Sequence, residues 1–110
     1  MFRAFDEGRR GRLLPLELAD VDFAVRRVFT VTGHASGSDR GDHVVTCAEL
    51  LVLVSGSVSV EVDGTVTVLG EPGQGLRLER GHFVRYTLSD DRTTMLVLAD
   101  QPYDAEETRP

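Results

Sequence analysis

Hydrophobic residues recur along this chain at every second position, in short runs separated by glycine, aspartate and serine, and that period belongs to strands half-buried in a sheet. The pattern predicts strands over 12–18, 26–33, 43–56, 57–64, 65–70, 75–79, 83–89 and 93–100. No stretch has the three-to-four periodicity of an amphipathic helix. Within "SVSVEVDGTVTVL" the Asp63-Gly64 pair marks a two-residue hairpin turn, and the expectation is that Val58, Val60 and Val62 face inward opposite Val66 and Val68. "GEPGQG" (70–75), "ERGH" (79–82) and "SDDRT" (89–93) read as further turns. The loop "GHASGSDRGD" (33–42) is the longest polar insertion and the expected lip of a pocket, because binding residues concentrate on loops. The tail, 102–110, is acidic, has no apolar face, and is expected to be loosely ordered.

Eight short strands in 110 residues suit one all-β domain spanning 1–110, a double-sheet sandwich of antiparallel strands, whose single core must hold any site. One cysteine, Cys47, excludes an internal disulfide and a CxxC zinc site. No apolar run approaches the roughly 18 residues needed to span a bilayer, and acids stand where a signal peptide has its apolar region, so a cytoplasmic protein without membrane association is expected. A net charge of −6 and a pI near 4.9 argue against a nucleic-acid partner, which requires a basic face. All cations are arginine, which removes lysine Schiff-base chemistry.

The chemistry-bearing residues gather around His43. If 43–49 is one strand, His43, Val45, Cys47 and Glu49 project to the same side. An imidazole close to neutral pKa takes and returns a proton, and a carboxylate beside it raises its basicity. His43 and Glu49 are therefore catalytic candidates, although Glu49 could also face solvent beyond a strand bend. Cys47 reads as a small buried hydrophobe lining the pocket, since nothing in the sequence lowers its pKa. Tyr86 shares parity with Val84; its phenol either steadies an enolate or packs in the core. Arg40 is the natural clamp for an anionic group, with Arg27 and Arg77 as assistants. His34 is expected to be exposed in its loop, and His82 to cap a turn.

The turns and strands resemble the cupin class, and the first cupin motif can be followed through Gly37, His43, Glu49 and Gly56, with Val45 where a second histidine stands. In the second motif "GQGLRLERGHFV" keeps Gly73 and Gly81 but has Val84 at the histidine position. Two of four ligand positions are thus valine, and no metal or other cofactor is expected. More specifically, "DEGRRGRLLPLE", "FAVRRVFTVTG", "RGDHVV", "LVLVSGSVSVEVDG", "GLRLERGHFVRYTL" and "LVLADQPYDAEE" resemble, in order, the FdtA/QdtA (WxcM-like) cupins, the TDP-4-keto-6-deoxyglucose 3,4-ketoisomerases. The resemblance implies a single-domain cupin jelly roll, a homodimer, and metal-independent isomerisation of a TDP-sugar. Its "RGxHAH" motif implies proton transfer by His43, with Val45 replacing the partner histidine; Phe83 stands at the place of a tryptophan in the pocket wall. The apolar replacements also suit a cyclase or isomerase of an apolar, polyketide-like natural-product intermediate, and a ligand-binding cupin without catalysis is the third possibility.

Overall fold

The structure, a computed structural model, describes residues 1–102; the rest of the acidic tail, and with it the end of the last resembling stretch, lies outside the described residues. Ten strands form, in order, β1 (Phe5–Asp6), β2 (Arg12–Leu13), β3 (Arg27–Thr32), β4 (Ser38–Val44), β5 (Glu49–Ser55), β6 (Val58–Val62), β7 (Thr65–Leu69), β8 (Gly75–Leu78), β9 (Phe83–Leu88) and β10 (Thr94–Ala99). β1 and β2 pair as a small ribbon. The other eight make two antiparallel four-stranded sheets, β3-β10-β5-β8 and β4-β9-β6-β7. They face each other as the double-sheet jelly roll that the cupin resemblance implies. Among the described residues no helix is long and apolar enough to cross a membrane.

Alternation places one side chain of each pair between the sheets. From one side come Val31, Leu51, Leu53, Leu78, Met95 and Val97, and from the other Val58, Val60, Leu69, Val84 and Leu88, all in one buried cluster. A second, smaller cluster lies on the outer face of the β3-β10-β5-β8 sheet. There Leu50, Val52 and Leu98 are covered by Phe2, Leu16, Val21, Phe23 and Val25 of the N-terminal segment. That covering explains why β5 reads as a continuous apolar run: it is buried on both faces, where a strand with one wet face would alternate.

Four expectations need correction. The polar stretch 33–42 is not all loop, since Ser38–Val44 pairs with β9; serine, glycine and aspartate suit this strand because it is an edge with a solvent-facing side. The run 43–56 is not one strand, because 45–48 leaves β4 and crosses to the opposite sheet to begin β5. Only Arg12–Leu13 of 12–18 is a strand; Pro15 has no amide to donate and the segment turns away through a short helical turn at Leu18–Asp20. Finally, Val66 and Val68 are exposed, at 56% and 61%. The two-residue turn sets Val62 opposite Thr65, so Val60 faces Thr67 and the two valines pair with Glu61 and Ser59 on the outer face.

Candidate active site

A β-bulge in β4 assembles one wall of the site. Arg40 lies opposite Tyr86, Gly41 opposite Arg85, and His43 opposite Val84, so Asp42 is an extra residue in the ladder. In a regular strand, residues three apart project to opposite faces; the extra residue restores phase and turns both Arg40 and His43 inward. The conformation requires left-handed backbone at Gly41 (φ 88°) and Asp42 (φ 58°). A Cβ at Gly41 would stand 3.1 Å from the Val84 carbonyl oxygen and 3.3 Å from Cε1 of Tyr86. Glycine is therefore what lets the Tyr86 ring lie against this turn. Outside, Arg85 Nη2 donates to Asp42 Oδ1 at 2.8 Å and pins the bulge.

The facing wall carries a buried ion pair. Arg27 and Glu49 are on different strands, both opposite Ala99 of β10. Because Ala99 has almost no side chain, the two long side chains converge above it, with Arg27 Nη2 3.7 Å from Glu49 Oε2 and side-chain exposures of 6% and 9%. The Cys47 thiol donates to the same carboxylate oxygen at 4.0 Å, and the Arg27 guanidinium lies 5.2 Å from the Phe29 ring centroid. Charges taken this far from water persist only when paired, so the pair fixes a charged carboxylate at this end of the interior.

Tyr86 stands between the walls, 8% exposed. Burial pushes its phenol above the ordinary 10.0, the positive charge of Arg40 nearby pulls the other way, and the Glu49 carboxylate pushes it up again. The net direction is upward, so the phenol is protonated at neutral pH and serves as a donor. Row by row, the inter-sheet space is polar at one end (Arg27, Arg40, Glu49, Tyr86 and half-buried His43) and apolar at the other (Val58, Leu69, Leu53, Met95).

Several candidates from the sequence do not join this group. Val45 and Val84, 1% and 0% exposed, belong to the core. With those two positions apolar and Glu49 engaged by Arg27, the residues present do not fit a cupin metal. Cys47 lines a cleft of about 300 Å³ with Thr46, Glu79, Arg80 and Asp100. Arg77 is not brought to the interior: it projects from β8 on the face of Leu50, holds Asp22 Oδ1 at 2.8 Å and stacks 5.0 Å from Phe23, tying down the N-terminal segment. Phe83, 39% exposed, pairs with Val44 on the outer face, where the tryptophan-like role does not place it. His34 is exposed and shares a hydrogen bond with Ser36 (2.9 Å), while His82 Nδ1 accepts from the Glu79 amide (3.3 Å) in the turn expected of it. Sequence reasoning missed the Arg27–Glu49 partnership, which depends on two strand registers, and the bulge, for which glycine followed by aspartate inside a strand was the available signal.

The chain matches the family model described as FdtA, WxcM-like, C-terminal, over residues 2–109. No curated protein matches the sequence. Among solved structures it is similar to QdtA, a sugar 3,4-ketoisomerase from Thermoanaerobacterium thermosaccharolyticum in complex with TDP, at 25% identity and a TM-score of 0.79, covering 96% of this chain and 81% of that one. It is similar also to the WlaRB TDP-quinovose 3,4-ketoisomerase from Campylobacter jejuni, at 27% identity and TM-score 0.76, covering 96% and 85%. A 3,4-ketoisomerase from Helicobacter canadensis shares the fold, at 23% identity and TM-score 0.80, covering 96% and 84%.

Proposed function

The chain belongs to the FdtA (WxcM-like, C-terminal) family, and from that premise we propose that it is an isomerase of a nucleotide-linked ketosugar, moving a carbonyl between neighbouring carbons without a metal. His43 is the base. It takes the proton from the carbon next to the carbonyl and returns it to the former carbonyl carbon, so one residue serves both half-reactions. Arg40, exposed at the polar end, faces the anionic part of the substrate as a bidentate phosphate partner.

The observation that carries this reading is the rephasing of β4: an unusual left-handed bulge turns Arg40 and His43 to one interior face. Support comes from two solved 3,4-ketoisomerases at 25% and 27% identity. The test is conversion of TDP-4-keto-6-deoxyglucose by the parent and its loss in His43→Ala.

One observation favours a second reading. Valine stands at positions 45 and 84, where the resemblance has histidines, and a less polar site of that kind suits an apolar biosynthetic intermediate held in a reactive conformation. Activity on such a substrate that survives His43→Ala would support shape-driven catalysis in place of proton transfer.

A further inference from the structure

Resting on the isomerase reading, we propose that Arg85 and Thr87, on the solvent side of β9, are positioning residues for the reaction. Through Asp42 and Asp39 they set, separately, where His43 and Arg40 stand on the inner side. The observation is a pair of clips that straddle the β4 bulge. On its N-terminal side the Thr87 hydroxyl donates to Asp39 Oδ1 at 2.7 Å. On its C-terminal side Arg85 Nη2 donates to Asp42 Oδ1 at 2.8 Å. Asp39 is the chain neighbour of Arg40 and Asp42 that of His43, so each clip holds one site residue from behind.

The register gives the clips their meaning. Ser38 to Gly41 pair in step with Leu88 to Arg85, and the step resumes one residue late, with His43 opposite Val84. Without the extra residue the strand has two ways to run. Continuing the first register sets Asp42 opposite Val84, turning it inward and His43 outward. Extending the second register backwards sets Asp39 opposite Leu88, turning it inward and Arg40 outward. Val84 and Leu88 are both 0% exposed, so either course carries a carboxylate into the apolar core, at high cost. The bulged phase keeps both aspartates outside and both Arg40 and His43 inside.

That phase leaves Asp42 on left-handed backbone, φ 58°, a conformation that persists where its surroundings determine it. Arg85 supplies the determinant. Glu61, opposite Arg85 on β6, and Asp39 act on the guanidinium through their charge, while Asp42 also hydrogen-bonds it. The side chains of Arg85 and Asp42 are 50% and 61% exposed, so loss of their ion pair should barely change stability. Catalysis is far more sensitive to position, since a misplacement of about 1 Å costs about 100-fold in rate.

The test uses that gap, with TDP-4-keto-6-deoxyglucose as substrate. Arg85→Ala removes the clip from one side, and Asp42→Gly from the other while keeping a residue at ease with positive φ. Each should lower kcat about tenfold, with KM, TDP binding by calorimetry and melting temperature nearly unchanged. Arg85→Lys, which keeps the charge, should restore part of kcat, and Glu61→Gln should leave it as in the parent. Thr87→Val should instead raise KM and the Kd for TDP about fivefold, the worth of the hydrogen bond lost when a bidentate phosphate contact becomes single, with kcat little changed. At saturating ketosugar the parent's kcat should fall as salt rises to about 1 M, where exposed charges are screened, and Arg85→Ala should lack that fall. A kcat within about twofold of the parent's in both Arg85→Ala and Asp42→Gly would overturn the role of Arg85. Unchanged KM and TDP binding in Thr87→Val would overturn that of Thr87. A parent inert toward the ketosugar would overturn the isomerase reading and this one with it.

Discussion

Removing the charge of Glu49 while keeping its shape, as Glu49→Gln, tests the buried pair that frames the polar end of the interior. At 3.7 Å two unit charges attract by about 4.5 kcal/mol in an effective dielectric near 20. That gross attraction is set against the desolvation of both groups, so its whole value is not stability. Breaking one member of such a pair is nonetheless expensive, about 3–5 kcal/mol, because the other charge remains out of water. Glutamine can still accept from the guanidinium, which places the expected loss near the lower figure, about 3 kcal/mol. With about 2.1 cal/mol/K of unfolding entropy per residue, the 110-residue chain should melt about 13 °C lower. The assay is urea denaturation, in which the midpoint falls while the slope, which reports surface exposed on unfolding, stays constant. The double variant Arg27→Met with Glu49→Leu should recover most of the loss, since apolar side chains of similar volume replace buried ion pairs at little cost. A loss below about 1 kcal/mol, the level of a surface ion pair, would refute the reasoning: the pair would then be solvated and could not set the field around Tyr86.

Gly41→Ala forces a side chain onto left-handed backbone 3.1 Å from the Val84 carbonyl, and should cost about 1–3 kcal/mol while displacing the Tyr86 ring; unchanged stability and kcat would show that the bulge is not what positions Tyr86. Arg77→Ala removes both the Asp22 ion pair and the Phe23 stacking contact, and should lower global stability only slightly because the ion pair is exposed to solvent. Hydrogen exchange should then quicken in residues 16–25 and not in β5 or β10, and unaltered exchange would mean that apolar contacts alone hold the segment.

How far the sequence reaches depends on which force sets each feature. Period-two alternation is a local signal, and it located β3, β6, β7, β8, β9 and β10 because each has one face in a common core. The same alternation placed Tyr86 inside through its parity with Val84. It misled at β7, where Thr65, Val66, Thr67 and Val68 alternate between two β-branched types; the turn geometry, not the apolarity, decides that Thr67, and neither valine, pairs with inward-facing Val60. β4 was hidden because a polar edge strand gets its stability from pairing with β9, and composition alone reads it as a loop. The bulge mattered more: by one extra residue it joins Arg40 to the face of His43, which a strict period of two forbids. The pairing of Arg27 with Glu49 lies beyond any local signal, since it needs two strand registers and a small residue, Ala99, between them. For Glu49 the sequence left solvent and interior open, and the structure places it inside, beside the balancing charge of Arg27.

The measurement that tests the proton-transfer account most directly is proton magnetic resonance of TDP-4-keto-6-deoxyglucose incubated in D2O with the parent protein and with His43→Ala. The account predicts conversion to the 3-keto isomer by the parent, with solvent deuterium entering at the carbon that receives the returned proton to the extent that His43 exchanges with solvent, and no conversion by His43→Ala although it remains folded and binds TDP. Conversion at an undiminished rate by His43→Ala, or a parent that binds TDP and leaves the ketosugar unchanged, would contradict it.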